Sequence, residues 1–393
     1  MESKHLTVDE ILETLTPQEK DEVLQNNFKI PLQLYLDGYN RNPDWPRESL
    51  LHRFRSYARN RASVKSATEK NPEILKVEIK EPVFIVGMAR SGTTMLHRLL
   101  DADPKFTAPM LWELLEPAGP APAGRPENYK ECERYKKAFE DEDFGKLVQG
   151  DFDNRHYARM DSPEECYAAI RPYFMSFFDT VQYLDLPELR EFMYHFPEQQ
   201  ALDTYEYYKR CLQCIFYNSI PPGNKLLLKC PIHCLNLITI KKVFPDAKFV
   251  FPIRNVKSMV NSFASVVHQI WMATGKEADA NASGKRVLEN YKYKSQNAVK
   301  FFKQAPKDCY LPVSYSQMVK NPIETLKQIY SHFAWDFTPE TEESLKKHIE
   351  ENKQNKHGNV EQTKIEDYGL TEAEIKENLK EYYEFFADGP EKL

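Results

Sequence analysis

The residues best equipped for chemistry lie in one short run, Gly87-Met88-Ala89-Arg90-Ser91-Gly92-Thr93-Thr94. Arg90 offers a charged fork, and the Ser91, Thr93 and Thr94 hydroxyls offer further donors. The run follows an apolar tetrapeptide, Val83 to Val86, and precedes an amphipathic pattern at Met95, Leu96, Leu99 and Leu100. Strand, small-residue loop and helix in that order aim backbone N–H groups and the positive helix end at one point, which makes an anion site. A plain capped turn would not need Arg, Ser, Gly and two Thr together. The nucleotide-kinase loop Gly-x-x-x-x-Gly-Lys-Ser/Thr is incomplete here, because Thr93 stands where its lysine belongs. A hydroxyl able to hold Mg²⁺ remains. A nucleotide-dependent small-molecule kinase is therefore one alternative, and a catalytically silent nucleotide-binding scaffold is another.

A second cationic position lies further along. The apolar run Lys248 to Phe251 leads into Pro252-Ile253-Arg254-Asn255, and Ser262 follows Arg254 by eight residues on a helical pattern. That spacing allows a short turn and about a turn and a half of helix at ~3.6 residues per turn, so both side chains can reach one phosphate.

Together these two segments resemble the PAPS-dependent sulfotransferase superfamily, in the broad branch whose loop reads Arg-Ser-Gly-Thr-Thr. Phe244-Pro245-Asp246-Ala247 and Trp112-Glu113 are similar to that branch too, and the resemblance runs from about Glu81 to about Tyr383. It implies 3′-phosphoadenosine 5′-phosphosulfate (PAPS) as donor, adenosine 3′,5′-bisphosphate as product, and no metal. It also implies that Arg90, Ser91, Gly92, Thr93 and Thr94 hold the 5′-phosphosulfate and that Arg254 and Ser262 hold the 3′-phosphate. Tyr315 matches the tyrosine that borders the adenosine in the family's Tyr-Glu-Asp-Leu segment, but Ser316 and Gln317 replace its acidic residues. Lys356 and Gly358, in Asn355-Lys356-His357-Gly358, are similar to a basic-Gly turn on the 3′-phosphate.

Sulfuryl transfer needs in-line geometry, donors on the equatorial oxygens, and stabilised charge on the leaving phosphate. Arg90 can supply the charge, and Lys229, after the apolar run Leu226 to Leu228, is placed to help. A base must take the proton of the acceptor hydroxyl. His233 lies four residues after Lys229, whereas the aryl and steroid sulfotransferases have histidine two residues after lysine. Glu113 lies about two dozen residues after the loop, where protein-tyrosine and carbohydrate sulfotransferases place a catalytic Glu. The expectation leans to Glu113. Cys211-x-x-Cys214 and Cys230-x-x-His233-Cys234 invite a zinc reading, but buried thiols in an aromatic stretch are the plainer account.

These residues need a scaffold. Apolar runs at 83–86, 226–228, 248–251 and 309–313 alternate with helical patterns, which implies a central parallel sheet. The expected fold class is α/β: a three-layer P-loop-like fold, with a helical N-terminal extension over 1–80 and a sulfotransferase domain over 81–393. The latter carries a helical insertion over 129–220 on the acceptor side. Thr16-Pro17-Gln18-Glu19 and Thr371-x-x-Glu374 read as helix starts. The basic stretch from His52 to Lys70 reads as a solvated face.

The 393 residues carry a net charge of −6, which excludes a global pull toward nucleic acid. No apolar run approaches the ~20 residues of a membrane helix. Seven cysteines without regular spacing read as reduced thiols. The chain is thus expected in the cytoplasm, acting on a small hydroxylated molecule, with no signal for oligomeric state.

Overall fold

The computed structural model describes residues 5–25, 28–41, 47–118, 124–141, 159–173, 187–273, 279–352 and 363–391. The chain divides into two compact units. One comprises Met1–Ile79 and Pro109–Pro222, the other Lys80–Ala108 and Gly223–Leu393.

The second unit is built on five parallel strands: β1 (Val83–Ile85), β2 (Phe106–Thr107), β3 (Lys225–Lys229), β4 (Lys248–Ile253) and β5 (Tyr310–Ser314). Their spatial order is β2-β3-β1-β4-β5. Successive side chains of a strand alternate between faces, and here both faces are covered. Val83, Ile85, Leu227, Val250 and Val313 join a core with Leu96, Leu99, Leu326 and Ile329 from the helices Thr93–Asp101 and Pro322–His332. On the opposite face Phe84 stacks on Phe249, with ring centroids 5.7 Å apart. Phe249 and Phe251 then meet Phe301 and Phe302 of the long helix Ala280–Gln304, each at 5.0 Å. Burial on two faces is why these strands read as continuous apolar runs. The result is the expected three-layer α/β arrangement. From β1 the chain moves to β2 and β3 on one side, then crosses to β4 and β5 on the other. The carboxyl ends of β1 and β4 thus form a topological switch point, where open α/β sheets bind ligands.

The first unit is helical among its described residues. Helix Arg47–Lys70 packs against Glu198–Phe216, and the cluster around Phe28, Tyr35, Phe54 and Tyr57 fills its core. The start at Thr16 forms as expected. The Thr16 N–H donates to Glu19 Oε2 at 2.8 Å, and the Glu19 N–H donates back to Thr16 Oγ1 at 3.3 Å. One expectation is corrected. The stretch His52 to Lys70 is not simply a solvated face, because Arg53 and Arg61 turn inward and are each 3% exposed. Arg61 sits over the rings of Phe28 and Tyr173, at 5.1 and 4.4 Å. Aromatic faces stabilise a guanidinium withdrawn from water. Among the described residues, no helix is long and apolar enough to cross a membrane.

Candidate active site

The phosphate loop begins where β1 ends. The Val86 N–H still donates to the Val250 carbonyl at 3.0 Å, and the chain then leaves the sheet. Arg90 and Gly92 both take left-handed backbone, at φ +64° and +99°, on either side of Ser91. Such a turn converges successive N–H groups on one concavity. A side chain on Gly92 would lie 2.6 Å from Tyr315 Cδ2, so only glycine allows that packing. The first intrahelical bond runs from the Leu96 N–H to the Gly92 carbonyl at 3.0 Å, and this leaves the N–H groups of Gly92 to Met95 ahead of the ladder. The Ser91 hydroxyl is fully buried and has no hydrogen-bond partner among the described residues. Buried hydroxyls are normally satisfied. An unmatched one in a loop that leads into a helix start fits a bound oxyanion. Thr93 is buried in the first helical turn, and Thr94 is exposed there.

The two cationic segments meet within this unit. Arg90 Nε donates to Ser262 Oγ at 3.0 Å, and Arg254 Nη1 donates to the Arg90 carbonyl at 2.9 Å. The Arg254 guanidinium lies 4.3 Å from the centroid of the Tyr315 ring, which itself packs on Gly92. Arg90, Gly92, Arg254, Ser262 and Tyr315 are therefore one connected group, although more than 220 residues of sequence separate its ends. Lys229 is the last residue of β3, in register with Ile85 at the end of β1, and is 1% exposed. Lys356 and Gly358 lie outside the described residues.

The two base candidates have different surroundings. His233, in the turn Pro231–Leu235, is fully buried with its ring edge-on to Phe84 at 5.4 Å. Burial pushes its pKa down to about 3, which keeps the imidazole neutral. The adjacent Cys234 thiol is pushed up to about 12 by the same cause. Glu113 belongs to the other unit, in the short helix Leu111–Leu115, and is also fully buried. Arg125 grips it: Nε donates to Oε1 at 2.8 Å and Nη2 to Oε2 at 2.5 Å, while the Met110 N–H donates to Oε2 at 2.8 Å. Beside it Trp112 stacks on Tyr129, with centroids 5.7 Å apart and planes 1° apart. Arg125 carries no signal in the sequence, since it follows a proline-rich loop and no periodicity ties it to Glu113. The Cys211 and Cys214 pair lies buried in helix Glu198–Phe216. Burial raises both thiols, Cys214 to about 12, and among the described residues no group of three or more His, Cys, Asp and Glu side chains could hold a metal ion.

Comparison with known proteins agrees with this fold. A solved sulfotransferase of Mycobacterium avium superposes with a TM-score of 0.81 at 21% identity, over 97% of this chain and 96% of that one. A second, from Mycobacterium tuberculosis H37Rv, gives 0.78 at 22% identity, over 96% and 99%. These are likenesses of fold. In sequence, the chain is 28% identical over 188 residues to omega-hydroxy-beta-dihydromenaquinone-9 sulfotransferase of Mycobacterium bovis. That match spans 44% of this chain and 42% of the relative. The family model described as Sulfotransferase family matches residues 82–339, well over half the chain and all of the connected group around Arg90. The chain belongs to the sulfotransferase family.

Proposed function

We propose that this chain moves a sulfuryl group from PAPS to a hydroxyl of a small molecule and releases adenosine 3′,5′-bisphosphate. The observation that carries the reading is the junction of Arg90, Arg254 and Ser262 beside the loop with the unmatched Ser91 hydroxyl. PAPS, when bound, supplies an activated sulfonate and a bisphosphate leaving group. In the proposal, the Ser91 and Thr93 hydroxyls and the N–H groups at the helix start hold the 5′-phosphosulfate. Arg254 and Ser262 hold the 3′-phosphate, and Tyr315 borders the base. Arg90 and Lys229 stabilise the charge that develops on the leaving oxygen, and a dry site strengthens such donors.

Glu113 is the proposed proton acceptor. Among the described residues Arg125 donates to its Oε1, and a carboxylate oxygen can accept a second donor. Burial pushes the His233 imidazole down to about 3, which makes it a weaker base than an ordinary imidazole. The acceptor class rests on the name of the mycobacterial relative, an omega-hydroxy-beta-dihydromenaquinone-9 sulfotransferase, and on the general chemistry of sulfuryl transfer. Seven free thiols support a reducing, cytoplasmic setting.

Calorimetric titration with adenosine 3′,5′-bisphosphate tests the donor half. Binding that weakens when 5′-AMP replaces the bisphosphate supports it; equal affinity for both would sink the 3′-phosphate assignment. For the acceptor half, Glu113→Gln is expected to lower turnover by about 10²–10⁴-fold, the usual cost of losing a general base. Folded His233→Gln should retain activity, and the reverse pattern would exchange their roles.

A further inference from the structure

Tyr291 belongs to helix Ala280–Gln304, and 202 residues separate it from the phosphate loop. Its side chain is fully buried and stacks on Phe263 with centroids 5.9 Å apart. Its hydroxyl donates to the Ala89 carbonyl at 2.5 Å, and the Met259 carbonyl lies 3.3 Å away. Burial raises the phenol's pKa, so it stays a proton donor.

The carbonyl it holds is the sensitive one. In a planar trans peptide the C=O and N–H point in opposite directions, so fixing the Ala89 oxygen fixes the direction of the Arg90 N–H. Arg90 sits at φ +64° without the freedom of glycine, a conformation that persists only where neighbours hold it. The next carbonyl, that of Arg90, is taken by Arg254 at 2.9 Å. Two consecutive loop carbonyls therefore face protein donors and not the anion position. One donor comes from the turn after β4, the other from a helix far along the chain. Met259 and Phe263, which meet Tyr291, lie on either side of Ser262 in helix Val256–Ala273.

We propose that Tyr291 is a positioning residue for the phosphate loop: its hydroxyl locks the peptide between Ala89 and Arg90 in the orientation that receives the donor's 5′-phosphosulfate. The inference rests on the proposed donor site. Neither composition nor spacing points to this tyrosine, one of 22 in the chain.

The test compares wild type with Tyr291→Phe, which removes only the hydroxyl, and with Phe263→Leu, which disturbs the same packing but keeps it. The probes are adenosine 3′,5′-bisphosphate and inorganic pyrophosphate, titrated well below each melting temperature, together with steady-state kinetics in PAPS. Tyr291→Phe is expected to weaken both anions about tenfold, the upper range for one lost hydrogen bond. It should raise KM for PAPS and leave kcat at saturation within about twofold, as removal of uniform binding does. Phe263→Leu should lower the melting temperature with little change in affinity. Wild-type affinities in Tyr291→Phe would overturn the inference while the donor assignment stands. Conversely, a wild type that binds pyrophosphate but not the bisphosphate, with Tyr291→Phe weakening the former, would sink the nucleotide reading and keep the pin. If neither anion binds wild type, both fall. Should Tyr291→Phe not fold, Tyr291→4-aminophenylalanine, of similar shape but a weaker donor, carries the same comparison.

Discussion

Lowering the pH from about 7.5 to about 5 should destabilise the unit that carries His233, by an amount its burial sets. Burial pushes the folded imidazole down to about 3, against 6.5 for the exposed group. The folded state thus refuses a proton that the unfolded chain accepts. With the folded value depressed, the stability is fully present above about pH 6.5 and is lost as pH falls toward about 3. At about pH 5 the unfolded imidazole is 1.5 units below its own pKa and the folded one is still neutral. At ~1.4 kcal/mol per unit this costs about 2 kcal/mol. Replacing the ring by Gln should remove that penalty whatever it does to stability at neutral pH. The assay is urea unfolding of wild type and His233→Gln at both pH values, followed by hydrogen exchange of the β1 and β3 segments. Every other titrating group contributes alike to both proteins, so the difference between the two acid-induced losses isolates His233. A loss smaller by about 2 kcal/mol in the variant is expected. Equal losses, or a ring titrating near its ordinary value by NMR, would show that burial does not hold the imidazole neutral and return His233 to the candidates for proton transfer.

Two further outcomes follow from single contacts. Gly92→Ala forces an L-residue to φ +99° with its Cβ 2.6 Å from Tyr315 and 2.9 Å from Met318. Left-handed backbone alone costs about 1–2 kcal/mol; displacing Tyr315 from Arg254 should also weaken bisphosphate binding about tenfold or more, by calorimetry, through the lost cation–π contact and loop geometry. Arg134, 1% exposed, donates to the carbonyls of Glu116, Gly124 and Pro117 at 2.9, 3.0 and 3.1 Å. Arg134→Met leaves three buried acceptors without their donor and should cost roughly 3–5 kcal/mol in denaturant unfolding. A loss within about 0.5 kcal/mol, as for a surface change, would contradict that role.

What could be read ahead of the structure was whatever is local. The loop from Gly87 to Thr94 declares itself because strand, turn and helix lie within one short segment. The apolar runs declare β1, β3, β4 and β5, because strands buried on both faces need no alternation. The edge strand β2, only Phe106 and Thr107, is too short to leave a pattern. Arg254 and Ser262 could be paired because eight residues and a helical turn fix their distance. The contacts that decide their environment are non-local and could not be read. Tyr291 reaches Ala89 from 202 residues away. Arg61 is turned inward by Tyr173, which is remote in sequence. The grip of Arg125 on Glu113 runs through a loop whose path no periodicity specifies. His233 shows the same limit. Its spacing from Lys229 points to chemistry, and its complete burial, with Phe84 edge-on to the ring, keeps it neutral.

Turnover separates sulfuryl transfer from the alternatives. The protein is incubated with sulfur-35-labelled PAPS and a panel of hydroxylated quinones, phenols and sterols, with EDTA present throughout. A labelled sulfate ester should form, with one adenosine 3′,5′-bisphosphate released per ester, and Arg254→Ala should abolish it at low donor concentration. No labelled product across the panel, with no thermal shift on adding the bisphosphate, would rule out a PAPS-dependent sulfotransferase. So would a phosphorylated product that requires ATP and Mg²⁺.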